Sequence, residues 1–295
     1  IRGPEAFERA QTPMFVTMLL GVAAFAAGAP DLGAALLMGS QHVAMRQVLT
    51  YSRTQEAAAD QAGVAYMNAI KESPTGMLEV FEKFAEQEIL SGRKLDPYVR
   101  SHPLSRERVA TLTDLAQRSP YRERKDTEAE ILSYELMRAK LRGFIEAGDV
   151  TLRRYPLRDK SMPARYARAV AYFRAADIDR ALVEINSLIE ERPDYPFFWE
   201  LKGQIYVESS RPKEGLEPYR KAATLAPNEA LIQASLGAAL VATEDDNNLD
   251  EAVKILKATL VKEPENAMAW YHLATAFERK GDEGRAQLAT AERYY

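Results

Sequence analysis

Apolar and polar positions divide this chain into regions of different periodicity. Residues 10–45 carry a single charged residue, Asp31. Within them, residues 13–30 (PMFVTMLLGVAAFAAGAP) are uncharged, mostly apolar and rich in small side chains, with a proline at each end. Proline breaks a helix interior but is tolerated at its first turn, so one helix is expected between Pro13 and Pro30. Asp31 reads as the N-cap of a second helix over about 31–50. A membrane span takes about 20 apolar residues, which makes the run borderline in length. Three readings fit it: a buried or interface-seeking helical hairpin, a membrane-dipping element, or a true span. A secretory signal peptide fits poorly, because a second apolar helix follows where a cleavage site and a polar start belong. Further helices are expected over about 50–73 and 74–90, after Pro103, and over about 127–147. In the last of these, TEAEILSYELMRAKLRGFIEA, apolar residues recur at helical spacing. The pattern predicts an all-α chain without a substantial sheet.

From about residue 162 the sequence repeats itself. Pro193, Pro227 and Pro264 close successive segments at spacings of 34 and 37 residues. A 34-residue helix–turn–helix period is the tetratricopeptide signature. The segment with Trp199, Gly203, Tyr206, Gly215, Tyr219, Ala222 and Pro227 follows nearly the whole consensus. The preceding copy has Ala169, Tyr172, Ala181 and Pro193. The next has Leu236, Gly237, Ala252 and Pro264, with extra residues near 244–248 that lengthen its turn. The last has Trp270, Leu273, Ala274, Phe277 and Ala286. Small residues at 203, 237 and 274 let paired helices approach closely, and aromatics fill the space beside them. In this fold the remaining first-helix positions line a concave groove. Here they are Tyr166, Val170, Glu200, Gln204, Ala234, Ala238, Tyr271 and Thr275. Repeats that clamp C-terminal carboxylates place Lys and Asn on this surface, so these residues point instead to contacts with apolar or extended chain.

Composition narrows the chemistry. The 295 residues are 46% hydrophobic, enough for a sizeable core, and length suggests two domains. A net charge of -4 argues against a general nucleic-acid binder. The absence of Cys excludes disulfides, a thiol nucleophile and Cys-ligated zinc. The three histidines, His42, His102 and His272, are far apart, which leaves little room for a metal site within this chain. His272, with no second ligand at helical spacing, reads as structural. The first residue is Ile1, and the expectation is a piece of something longer.

Two stretches carry candidate chemistry. In TQEAAADQAGVAYM, Glu56 and Asp60 lie four residues apart on one helix face, amid alanines and one turn from Gly63. Acidic pairs at this spacing often sit on solvated faces. Small apolar surroundings instead call for a partner, either a metal or a cationic group. In DPYVRSHPLSRERVATL, His102 precedes Pro103, which opens a helix continued by Ser105 and Arg108. Taken alone, His102 reads as structural.

Together, TQEAAADQAGVAYM and RSHPLSRERVATL resemble the periplasmic zinc metallopeptidases of the HtpX and BepA type, gluzincin-like enzymes of which the BepA type adds C-terminal tetratricopeptide repeats. The resemblance covers nearly the whole chain, in the same order. It implies a fold: the C-terminal part of a gluzincin-like metallopeptidase domain, followed by a tetratricopeptide α-solenoid. It also implies roles. Glu56 would be a zinc ligand and Asp60 a carboxylate orienting a ligating histidine. His102 would be either a gating ligand or an oxyanion donor. Tyr166, Glu200, Gln204 and Tyr271 would face substrate or partner proteins. The apolar pair would match the membrane-proximal plug region, with candidate membrane-surface contact through residues 13–48. The family's His-Glu-x-x-His helix is absent, and by the resemblance would lie before Ile1. The expectation is therefore that this piece neither holds zinc tightly nor cleaves peptide bonds, whereas a full-length parent would use zinc.

Three regions are expected: residues 1–120 from a metallopeptidase domain, a linking helix in 121–160, and repeats over 161–295. Two functions compete. One is a fragment of a periplasmic, zinc-dependent endopeptidase of envelope protein quality control. The other is a non-catalytic tetratricopeptide scaffold or chaperone. Glu56, Asp60 and His102 favour the first for the parent, and the missing motif favours the second for this chain. His-Glu-x-x-His encoded within about forty residues upstream of Ile1 separates them, and its absence there would sink the protease reading.

Overall fold

The apolar run forms helix α1, Gly3–Ala26, which starts well before Pro13. The stretch ahead of that proline, EAFERAQT, contains good helix formers. The helix continues through Pro13 instead of starting at it. Helix α2, Pro30–Ala69, packs along α1 as the other arm of a hairpin. Pro30 takes the first helical turn, so Ala29 is the N-cap and Asp31 an acid of the first turn, where the helix dipole favours it. The two helices expected over 31–50 and 50–73 are one 40-residue helix. No glycine or proline between Ser40 and Ala62 gives it a place to break. The outer faces of the hairpin stay apolar, with Leu19 69% and Met38 77% exposed. No helix among the described residues is long and apolar enough to cross a membrane.

The computed structural model describes residues 3–91 and 106–294, with two units, Ile1–Lys125 and Asp126–Tyr295. Among the described residues all regular structure is helical. The first unit continues with α3, Thr75–Ser91, and α4, Arg106–Arg118, which packs on both α2 and α3. Ser119 donates a 2.6 Å hydrogen bond to the Asn68 side chain, and Ser73 and Thr75 hydroxyls donate to the Arg122 carbonyl. These bonds tie the segment after α4 to the end of α2.

The second unit opens with α5, Glu128–Ile145, started by a capping box in which Thr127 and Glu130 satisfy each other's backbone N–H groups. A short helix α6, Gly148–Arg154, follows. Four antiparallel pairs come next: α7, Met162–Arg174, with α8, Ile178–Glu191; α9, Pro196–Glu208, with α10, Pro212–Leu225; α11, Ala230–Ala242, with α12, Leu249–Lys262; and α13, Ala267–Arg279, with α14, Glu283–Tyr294. The extra residues of the third pair form a single 3-10 turn, Asp246–Asn248. Small residues sit where the sequence requires them. A Cβ on Gly203 would meet the Tyr219 ring at 2.7 Å. Helix α5, expected as a link, is packed into this unit: Leu136 is buried with Tyr166 and Val170 of α7.

A buried arginine organises the entry to the repeats. Arg168 is 1% exposed. Its Nε and Nη2 donate to both oxygens of Glu184 at 2.6 and 3.1 Å, and its Nη1 donates to the carbonyls of Tyr155, Pro156 and Asp159. One side chain thereby joins α7, α8 and the connection from α6.

The first helix of each pair ends alike. Ala176, Ser210, Glu244 and Gly281 have φ of 57°, 62°, 57° and 75°. After three of them, the N–H groups of Asp177, Arg211 and Asp282 donate back to the carbonyls of Tyr172, Tyr206 and Phe277 at 2.9 Å. This is a Schellman-type stop, which glycine fits best. Only Gly281 announces it in the sequence. Left-handed geometry costs a side-chain-bearing residue about 1 kcal/mol, so Ser210→Gly is expected to raise the thermal midpoint of the repeats, read by circular dichroism. A pH effect is expected at partly buried His272, whose pKa is held below the ordinary imidazole value by burial and then by Arg293. The unfolded chain binds this proton more readily than the folded one. Its contribution to stability is therefore full above the unfolded pKa, about 6.5, and lost as pH falls through the lower folded value. Melting curves of the wild type are expected to fall more steeply below about pH 6.5 than those of His272→Gln.

Candidate functional site

In the first unit the expected carboxylate face of α2 meets α4. Arg108 Nε and Nη2 each donate to an oxygen of Asp60 at 2.8 Å, and Nη1 lies 3.0 Å from Glu56 Oε2. Asp60 is 4% and Arg108 7% exposed, while Glu56 is partly buried. The guanidinium lies 5.4 Å from the centre of the Phe81 ring on α3, so three helices meet at one cation. Of the two partners that the sequence allows for this pair, a metal or a cation, the structure supplies the cation. Arg108 was visible in the sequence only as the continuation of a helix, 48 residues from Asp60. His102 lies outside the described residues.

A catalytic zinc takes three protein ligands. Among the described residues no group of three His, Asp or Glu side chains could hold a metal, and both Asp60 oxygens accept from Arg108. The described residues therefore do not make a zinc site by themselves. What they make is a partly desolvated carboxylate pair bridged by one guanidinium.

In the second unit the expected groove residues fall into two groups. Tyr166 and Val170 are 1% and 0% exposed. They are covered because α5 lies on α7: a Cβ on Gly143 would stand 2.7 Å from Val170 Cβ. The Tyr166 ring packs edge-on to Phe198 with centroids 5.0 Å apart, its hydroxyl donates to the Phe197 carbonyl, and burial drives its pKa well up. Glu200 is also buried and pairs with Lys140 of α5 at 2.6 Å. An apolar cavity of about 330 Å³ remains between Met137, Leu141, Phe144, Tyr166, Tyr195 and Phe197, with Lys140 at its wall. Further along, Gln204 donates to Glu208 at 2.8 Å. Tyr271 is 47% exposed beneath the Arg293 guanidinium, and with His272, Thr275 and Arg279 it lines a second cavity of about 450 Å³. Sequence reasoning missed the part of α5 in this surface. The signal was there, since apolar residues of α5 occupy more of its circumference than a simple linker helix needs.

Removing one partner from a buried ion cluster leaves an uncompensated charge and costs about 3–5 kcal/mol. Arg108→Ala is expected to lower the stability of the first unit by that amount in urea denaturation. Asp60→Asn combined with Glu56→Gln is expected to destabilise it too, whereas carboxylates of an empty metal site would be nearly neutral to this change.

Comparison with known proteins agrees with this division. Residues 5–116 match the model of peptidase family M48, and residues 162–291 match the cytochrome c-type biogenesis protein H TPR domain. The beta-barrel assembly-enhancing protease of Yersinia pestis is 22% identical over 95% of this chain and 57% of its own length. That of Escherichia coli K12 is 22% identical over 97% of this chain and 58% of its own. The chain thus spans a little over half the length of these relatives. Among solved structures, MamA of Desulfovibrio magneticus RS-1 aligns with 55% of this chain and 93% of its own at 17% identity and a TM-score of 0.47. YrrB, a TPR protein with an unusual peptide-binding site, aligns with 54% of this chain and 82% of its own at 19% identity and a TM-score of 0.45. The chain joins a segment of peptidase family M48 to a tetratricopeptide domain and is a homologue of the beta-barrel assembly-enhancing proteases.

Proposed function

We propose that the full-length protein is a zinc-dependent endopeptidase of the bacterial envelope that acts in quality control of outer-membrane proteins, with the repeats binding substrate or partner proteins. The observation that carries the reading is the helix face of Glu56 and Asp60 within the M48-matched segment, anchored by Arg108. In this reading Glu56 supplies one zinc ligand. Asp60, held on both oxygens by Arg108, fixes the orientation of that face. His102 contributes as a gating ligand or an oxyanion donor. Zinc when bound would polarise a scissile carbonyl and activate water. This chain's own residues contribute the placement of Glu56: a carboxylate on a long helix, clamped from α4, keeps its position without metal. The exposed apolar side chains of the α1–α2 hairpin support contact with a membrane surface, which fits a periplasmic, membrane-proximal location. In the repeats, the mostly apolar lining near α5 and the aromatic–basic lining near Tyr271 support binding of extended or partly unfolded chains.

The test uses the full-length protein. Glu56→Gln keeps an amide oxygen for Arg108 and is expected to leave folding intact. It should lower the zinc content measured by elemental analysis and abolish cleavage of an unfolded outer-membrane β-barrel protein. Unchanged zinc content and cleavage in this variant would remove Glu56 from the metal site. A wild-type protein with neither zinc nor cleavage would favour a scaffold.

A further inference from the structure

Helix α5 is apolar on two opposite faces. Leu132, Leu136, Ala139 and Gly143 form the inner one, packed on the repeats. Ile131, Tyr134, Met137, Leu141 and Ile145 form the outer one, and they are 50%, 54%, 53%, 51% and 71% exposed. Their spacings of three, three, four and four residues keep them in one stripe, about 21 Å long at 1.5 Å per residue. A helix on the surface of a domain needs one apolar face, whereas a helix apolar on both is built to be covered on both. The stripe runs into the cavity beside α7 and α9, because Met137 and Leu141 belong to both.

The charges along α5 say what fits the stripe. Its first half carries Glu128, Glu130 and Glu135, and its second half carries Arg138, Lys140 and Arg142. Within one copy Lys140 is engaged by Glu200, Arg138 by Glu135, and Arg142 by Tyr155 and Glu146, so the halves act through their net charge. The Arg138 Nε is shielded from solvent and has no hydrogen-bond partner among the described residues. A second α5 laid alongside in parallel would set acids against acids and bases against bases. Laid antiparallel about a two-fold axis near residue 138, the acidic half of each helix faces the basic half of the other, and Ile131 comes beside the second copy's Ile145. Away from the axis, where the two Arg138 side chains meet and each keeps its own Glu135, the surface is self-complementary in apolar pattern and charge, which is the requirement of an isologous contact.

We propose that the outer face of α5 is a homodimer interface, in which two copies of this chain pair their α5 helices antiparallel across the Tyr134–Met137–Leu141 stripe. The stripe shares Met137 and Leu141 with the apolar cavity that the proposed function offers to bound chains, and the experiment measures association alone, so its failure leaves the protease reading untouched.

The experiment is sedimentation velocity on the full chain across micromolar concentrations. A monomer–dimer equilibrium is expected. Leu141→Glu should weaken it by about tenfold or more, the effect of losing a central interface side chain, without changing the helical circular dichroism, because Leu141 is half exposed in the single copy. Geometry is read by oxidation, since the protein has no cysteine of its own. Met137→Cys, near the axis, is expected to cross-link into a dimer. Ile131→Cys alone should not, and Ile131→Cys combined with Ile145→Cys should. Reversing Glu135 to Arg should weaken association, and further reversal of Arg142 to Glu should restore it. A protein that stays monomeric at high concentration overturns the proposal, as does cross-linking through Ile131→Cys alone or association indifferent to charge reversal. Monomer with the stripe protected from labelling would assign this face to a different partner.

Discussion

A guanidinium taken out of water must have its charge and its donors met, and both units of this chain are organised around that requirement. Arg108 is met by Asp60 on two nitrogens and by Glu56 on the third, under the Phe81 ring. Arg168 is met by Glu184 and by three carbonyls of the connection that precedes the repeats. Each partner set spans more than one element, across 48 residues for Arg108 and within 16 for Arg168, so each arginine is satisfied only when neighbouring helices are in place. In the second unit the helices approach closely because small residues such as Gly143 and Gly203 stand at the crossings. Hydrophobic burial supplies most of the driving force, and the arginines select one arrangement among those that bury similar area.

The same requirement gives the carboxylate face of α2 a second meaning. An acidic pair in a small-residue environment suits a metal site, and it equally suits an ion cluster. In this chain the cluster is formed, with Arg108 drawn from the helix that follows the Ser-His-Pro sequence. A carboxylate that serves a metal gains from being held in position beforehand, because a group already fixed loses less freedom on binding. The structural and functional readings of Glu56 are compatible for that reason: the clamp on Asp60 holds the face that presents Glu56.

In the repeats, the feature that departs most from a plain solenoid is α5. It covers the first-helix positions of the first pair and draws Glu200 of the second into an ion pair with Lys140. The concave surface consequently begins with an apolar cavity walled partly by α5 and ends in a more polar one around Tyr271 and Arg279. Such asymmetry would let the two ends take different parts of a bound chain.

Much of this was legible in the sequence, because it rests on local rules. The proline spacing, the Trp, Gly and Ala positions of the repeats and the inserted turn near residue 246 each follow from short-range periodicity. The expected helix starting at Pro13 and the break near residue 50 were misplaced, since helix ends respond to packing as well as to proline and composition. The pairing of Glu56 and Asp60 on one face was determined by their spacing. Their partner was not, because Arg108 lies 48 residues beyond Asp60 and no local pattern links them. Likewise the sequence alone determined that Tyr166 and Val170 occupy groove positions of a repeat. Only the tertiary structure decided that they are buried, because burial depends on which helix lies across them, and α5 reaches them through space from outside the repeat.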